Sequence, residues 1–362
     1  MSGELRGLLQ AGAWPEALAL YESAVLDVLG VSPSSAPVSR WARAYEALSK
    51  QLTEDRTEAL AEASSAELSG EDGLAVAALV FGARTLFIAG HLFRAQPPPP
   101  GMLLDLGSGW GAAGLAGSAF REGPVRLLDV DARVLERARA LFSWFGLQAE
   151  TEVGRMRSSG APASIVSAYA VNEVALQGED VARMTAAWLD ALPERGRLYL
   201  IEPGTHRGSQ TLSMIRDGFA SGARILGPCT HAAPCPLRVG PNWCHFSLPL
   251  PLGPIAAGIA HAAHRQHHVV RFSWLALERS PPVAGSDASR VLSVRRLKGK
   301  RRIEVCGVNG ADAWILLERG ALPGIESGDR WRLVVGGSRR GDGLRVEPQA
   351  LERETSLGDP NR

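Results

Sequence analysis

Apolar positions recur at three- and four-residue spacing through roughly the first quarter of the chain, and then the period changes. ALALYESAVLDVL, VSRWARAYEALSKQL and GLAVAALVFGARTLFIAGHLF each place their apolar residues along one stripe, which predicts three amphipathic helices. SPSSAPVS (Ser32 to Ser39) separates the first two and offers several N-caps. QPPPPG (Gln96 to Gly101) reads as a stiff linker that closes a helical module over residues 1–95. Beyond it short apolar runs alternate with helical patterns. Met102 to Phe120 reads as strand, glycine-rich turn and alanine-rich helix, and VRLLDVDARVLERARALF repeats strand, acid, helix. Ala163 to Ala175 reads as a buried strand, EDVARMTAAWLDALP as a crossover helix, and Gly196 to Ser209 as the next strand. SGARILGPC and Val269 to Ser280 supply the last two strands. Such alternation predicts an α/β domain over residues 96–288, with a Rossmann-like parallel sheet covered on both faces. Residues 289–350 switch to five short strand-like runs between turns, a small β-barrel-like module. The polar stretch 351–362 reads as a disordered tail.

Charge adds detail to this frame. The formal net charge of 362 residues is only +1, so any contact with nucleic acid must come from a local patch. One exists. Arg290 to Arg340 holds twelve Lys or Arg against five Asp or Glu. Its densest run, RRLKGKRR, reads as a hairpin on which Arg295, Arg296, Lys298, Lys300, Arg301 and Arg302 either grip phosphates or stand solvated. The start MSGELRGLLQ has no basic and apolar signal pattern, and no eighteen-residue window is apolar throughout. No membrane span and no membrane partner are expected, and four cysteines in so large a chain suggest reduced thiols or metal ligands in a bacterial cytoplasm.

Candidate chemistry begins at LLDLGSGWG. Gly107, Gly109 and Gly111 allow a sharp turn and close backbone approach to a ligand, beside Ser108 and the strand-end acid Asp105. Asp129 ends the following strand, where a carboxylate can accept both hydroxyls of a ribose, with Asp131 as the alternate. A dinucleotide site prefers GxGxxG, whereas D-L-G-S-G-W-G followed by a second acid favours the S-adenosylmethionine-dependent methyltransferase type. The fold class expected is therefore a class I S-adenosylmethionine-dependent methyltransferase sheet with its two flanking modules. A third strand, expected near Glu150 to Gly160, offers Arg155 and Arg157 where methyltransferases usually present an acid to the adenine. Asn172 and Glu173 fall where such folds place polar groups facing the methyl acceptor.

The second candidate is Pro228 to Phe246, within an insertion over residues 227–250. It holds Cys229, Cys235 and Cys244, three of only four cysteines, and the fourth is Cys306. Repeated prolines exclude regular structure there, so four thiolates closing on a metal centre would hold the loop. Zinc sites pair ligands as C-x2–4-C. The spacings C-x5-C and C-x8-C form no such knuckle, which favours an iron–sulfur cluster. Zinc stays open because His231 and His245 could substitute as ligands.

LLDLGSGWG, SAYAVNEV, IEPGTHRGS, GPCTHAAPCPL and NWCHFSLP, in that order, resemble the methyltransferase-like proteins of mitochondrial small-ribosomal-subunit assembly and their bacterial relatives. The likeness runs over about Gly82 to Val335 and is most specific in the cysteine block. It implies S-adenosyl-L-methionine at the Asp105–Gly111 turn and a four-iron, four-sulfur (4Fe-4S) cluster on Cys229, Cys235, Cys244 and Cys306. It also implies association with 16S-type rRNA of the small subunit, with no DNA partner, as rRNA methyltransferase or as assembly factor.

Overall fold

The structure is a computed structural model that describes residues 2–53, 70–157, 160–176, 180–219, 222–238, 242–265, 268–283, 285–317, 323–334, 336–341 and 343–355. Strands β1 (Leu103–Leu106), β2 (Val125–Asp129), β3 (Ala149–Val153), β4 (Ser164–Ala168) and β5 (Arg197–Pro203) run parallel in the order β3-β2-β1-β4-β5. Beyond β5 lies β8 (Val269–Glu278), antiparallel to it, and then β6 (Arg224–Gly227) at the edge. A short β7 (Phe246–Pro249) also pairs with β8. The sheet is covered on both faces, and successive residues show it. Leu103, Leu127, Val166 and Tyr199 enter one core, while Leu104, Leu128, Ile165 and Leu198 enter another.

The second face is covered by α7 (Val171–Leu176), α8 (Val181–Asp190) and α9 (His206–Phe219), through residues such as Trp188 and Ile215. On the first face lie α5 (Ala112–Phe120), α6 (Ala132–Trp144) and α10 (Pro254–Ala262). The N-terminal helices α1 (Ser2–Ala11), α2 (Trp14–Leu29), α3 (Val38–Thr53) and α4 (Glu71–Ala95) add Leu9, Tyr21, Trp41 and Phe87 to that same core. By length and composition α4 is apolar enough to cross a membrane, yet 78% of its most apolar window is buried inside the protein, so it serves as the central core helix. Residues 77–82 of α4 form a π-helical turn.

The second sheet has seven strands in the order β13-β14-β11-β10-β9-β12-β15 and curls around its own core of Val291, Ile303, Trp314, Leu316 and Trp331. Its strands are β9 (Ser289–Leu297), β10 (Lys300–Gly307), β11 (Gly310–Leu317), β12 (Arg330–Leu333), β13 (Ser338–Arg340), β14 (Gly343–Arg345) and β15 (Leu351–Thr355). It is tied to the first unit by the Arg290 guanidinium, which donates to the Pro228 carbonyl at 2.8 Å, and by the Ser247 N–H, which donates to Ser327 Oγ at 3.1 Å.

Three sequence expectations change. The run Ala163 to Ala175 is strand only over Ser164–Ala168, because Tyr169 takes a left-handed backbone (φ 64°) and the chain turns into α7. Leu351–Thr355, assigned to the disordered tail for its polarity, is β15. Arg353 pairs there with Asp329 at 2.9 Å and Glu354 with Arg330 at 2.9 Å, so the charges stabilise an edge strand. Residues 356–362 lie outside the described residues. Phe246 and the three residues after it, counted with the irregular insertion, form β7 because Phe246 and Leu248 bury against β8.

Candidate functional site

The glycine turn is shaped by what surrounds it. Gly107 and Gly109 have φ of 67° and 51°, in the region that favours glycine. A Cβ on Gly107 would lie 2.5 Å from that of Ala170, so this residue must be small, whereas Gly109 has open space on that side. Asp105, at the C-terminal half of β1, is 1% exposed, and its Oδ2 accepts from the Gly114 N–H at 2.8 Å, which anchors α5. Asp129, at the end of β2, accepts from the Gly109 N–H at 2.8 Å and from the Asp131 N–H at 3.1 Å. The second acid thus fixes the turn that the first strand delivers.

These groups open onto a cavity of about 340 Å³ walled by the turn, both acids, Tyr169 and one side of α4, including Phe81 and Thr85. Asp105 Oδ1, Ser108 Oγ and Trp110 Nε1 are buried there without hydrogen-bond partners in the protein. Unpartnered buried polar atoms are costly, and three around one cavity are what a polar ligand would satisfy. Burial, reinforced by the Asp129 charge and opposed by the Gly114 N–H, pushes the Asp105 carboxyl up to about 8. Each oxygen of Asp129 holds one backbone bond and retains a further lone pair, so the pair can still accept two ribose hydroxyls. Asp131 is a poorer alternate: it caps α6 through the Arg133 N–H at 2.9 Å and pairs with the Arg133 side chain at 2.7 Å.

The expected acceptor residues sit apart from this cavity. The Asn172 N–H donates to Glu202 Oε1 at 3.1 Å, and Glu173 is exposed. Glu202, which the sequence did not single out as a site, is fully buried at the end of β5 with Oε2 unpartnered, as is Asn172 Oδ1. Burial pushes Glu202 up to about 8 against the opposing Asn172 N–H. Tyr169 and α4, also unforeseen, do line the cavity. Nothing in the pattern of α4 distinguishes a cavity wall from ordinary core. Arg155 and Arg157 are exposed, so the segment after β3 brings no acid inward, and Met156 instead packs toward Gly107.

The four cysteines gather in a second place. Cys229, Cys235 and Cys244 line a crevice of about 30 Å³ with Ser213, Arg216 and Trp274. Cys306 comes in on β10 opposite Arg290, with its Sγ 3.8 Å from His231 Nε2. Burial and the charges of Cys229 and Cys235 push Cys306 up to about 12. Burial and then Cys229, Cys306 and Cys235 raise Cys244 well above the ordinary thiol range. The four thiols therefore lie within electrostatic reach of one another. Two buried guanidiniums, Arg216 and Arg290, act in the opposite sense on Cys229. Among the described residues no three His, Cys, Asp or Glu side chains converge on a position for one metal ion. His245 donates from Nδ1 to the Trp243 carbonyl at 3.2 Å, which leaves Nε2 as its one ring nitrogen open to a ligand role.

The basic run forms the hairpin that its pattern predicts. β9 and β10 pair with Arg295 opposite Arg302 and Arg296 opposite Arg301, around a turn at Gly299 with φ of 70°. Arg295, Arg296 and Lys298 are exposed, and Lys300, Arg301 and Arg302 are half-buried.

A parallel β3-β2-β1-β4-β5 order, an antiparallel strand slotted between β5 and β6, and a glycine turn with two strand-end acids define the Rossmann-like fold of class I S-adenosylmethionine-dependent methyltransferases. The family model described as mitochondrial small ribosomal subunit Rsm22 matches residues 95–313, more than half of the chain, and the chain belongs to that family. No curated protein matches it. Among solved structures it is similar to TrmN from Thermus thermophilus, at 16% identity over 54% of this chain and 49% of that one, with a TM-score of 0.36. A putative RNA methyltransferase from Pyrococcus horikoshii matches at 9% identity, covering 55% and 81% of the two chains, with a TM-score of 0.35. Against an S-adenosylmethionine-dependent methyltransferase from Clostridium acetobutylicum the identity is 17% over 31% of this chain, the TM-score is 0.27, and this chain spans only 46% of that protein's length. None is near enough to bring its substrate with it.

Proposed function

We propose that this protein is a methyltransferase-like factor of the small ribosomal subunit that binds S-adenosyl-L-methionine in the cavity beside the glycine turn. The observation that carries the reading is the convergence there of Asp129 with three unpartnered polar atoms, Asp105 Oδ1, Ser108 Oγ and Trp110 Nε1. Asp129 would take the ribose hydroxyls, Gly109 would let the backbone approach, and Ser108 and Trp110 would donate to the ligand's polar edge. When bound, the cofactor supplies an electrophilic methyl group. Family membership supports the small subunit as partner. The basic β9–β10 hairpin, on which Arg295, Arg296 and Lys298 are exposed, supports rRNA as the surface touched.

A non-catalytic scaffold is the second reading, and one observation favours it. Neither Asn172 nor Glu173, the two expected acceptor-pocket groups, is among the residues that line the cavity. For the thiol cluster, a four-iron, four-sulfur centre suits four cysteines gathered loosely, since it is broader than one ion, and Arg216 and Arg290 would balance its negative charge. Cys229, Cys235, Cys244 and Cys306 would hold it, and it would fasten β10 to the insertion.

Calorimetry with S-adenosylmethionine tests the cofactor reading. Asp129→Ala should weaken binding at least tenfold, about 1.4 kcal/mol at 25 °C, and unchanged affinity would place the cofactor elsewhere. Transfer of labelled methyl groups to immature 30S particles then separates enzyme from scaffold: salt-sensitive binding without transfer selects the scaffold.

A further inference from the structure

We propose that a phosphate-group oxyanion binds in a separate cavity between β6, the chain after Cys229 and the edge of the β module. The cavity measures about 240 Å³, and its walls include Arg224, Thr230, His231, Ser286 and Arg330, with no Asp or Glu among them. That volume is below the roughly 300–1,000 Å³ typical of drug-sized ligands, and suits a phosphate group with its water more than a whole nucleotide.

Charge and hydrogen bonding agree on what enters. Glu278 pairs with Arg197 at 3.1 Å and Arg224 at 3.6 Å, and Glu354 pairs with Arg330 at 2.9 Å and Arg332 at 2.7 Å. Arg332 also reaches Asp287 at 2.7 Å. Arg224 and Arg330, the two guanidiniums that line the cavity, each share a carboxylate with a second arginine that does not line it, so each is only partly neutralised. Thr230 is 8% exposed, and its hydroxyl is buried without a partner, as is Arg330 Nε. A guanidinium Nε only donates and a hydroxyl donates readily, so the partner both need is an acceptor. Ser286 is already committed, to Glu354 at 3.3 Å and to the Ala288 N–H at 3.0 Å. The wall is firmly set: the Ser286 N–H donates to the Thr230 carbonyl at 2.9 Å, and a Cβ on Gly285 would lie 2.8 Å from that oxygen. A tetrahedral phosphate offers acceptor oxygens toward donors that approach from different strands, and charge-assisted bonds to guanidinium are strong. The site does not depend on the cofactor reading, since it lies at the other edge of the sheet, beyond β8.

The phosphate group can be free or carried on RNA. Calorimetry on the full chain with inorganic phosphate should give saturable binding that Thr230→Val weakens about tenfold and Arg224→Gln weakens in the same direction. Without phosphate, Thr230→Val should melt at or above the wild-type temperature, because the exchange removes an unpartnered buried hydroxyl and keeps its volume. A short oligoribonucleotide is titrated in parallel. If Thr230→Val also weakens the oligoribonucleotide, the phosphate is the RNA's; if only inorganic phosphate is affected, the ligand is the free anion. Absence of saturable phosphate binding by the wild type, or wild-type affinity for both probes in a folded Thr230→Val protein, overturns the proposal.

Discussion

At the scale of single residues, the two buried acids make the protein sensitive to alkali. Asp105 and Glu202 sit at about 8 in the fold, chiefly through burial, against the ordinary carboxyl value near 4. The folded state therefore holds protons that the unfolded chain has released, and stability falls as pH rises from about 4 through 8. Melting of the ligand-free protein should come at a lower temperature at pH 9 than at pH 6. Glu202→Gln should flatten that dependence, because an amide cannot ionise; an equally steep curve in the variant would show that other groups carry it. Tyr169 shows how one residue redirects a segment. Its left-handed backbone ends β4 early, and its N–H donates to the Ile201 carbonyl at 2.7 Å, so the side chain borders the cavity.

At the scale of elements, distant parts of the chain complete one another. The N-terminus of α10 begins at Gly253, which has no capping side chain, and Glu22 of α2 supplies the cap across the core. Its carboxylate accepts from the Ile255 N–H at 3.0 Å and the Ala256 N–H at 2.7 Å. Glu22→Ala should cost about 1–2 kcal/mol in denaturant unfolding, while Glu22→Gln, which keeps an acceptor, should cost clearly less. Equal costs would mean that packing and not capping matters at this position. The π-turn of α4 is a second case. Close packing against α2, where a Cβ on Gly82 would lie 2.3 Å from the Tyr21 hydroxyl oxygen, accompanies the widened turn, and Phe81 and Thr85 face the cavity.

At the scale of the whole molecule, the β module and the α/β unit meet at the cysteines, so Cys306 is the point to test. If the four thiols hold a cluster, anaerobically purified protein should be brown with about four irons, and Cys306→Ser should lower both iron content and resistance of the junction to proteolysis. A colourless wild-type protein with one zinc would sink the cluster reading. The pattern of the chain was enough for the helices α2 to α4, the parallel strands, the glycine turn with Asp105 and Asp129, and the basic hairpin. Each of these depends on neighbours within a few residues, where periodicity, turn chemistry and charge act locally. Convergence was another matter. The meeting of the four cysteines was expected from their composition and spacing, but the Glu22 cap on α10, the α4 wall of the cavity and the meeting of Arg330 and Thr230 on one cavity wall were decided by the tertiary fold. They join residues tens to hundreds of positions apart, and only the packing of the sheets and helices brings such groups together.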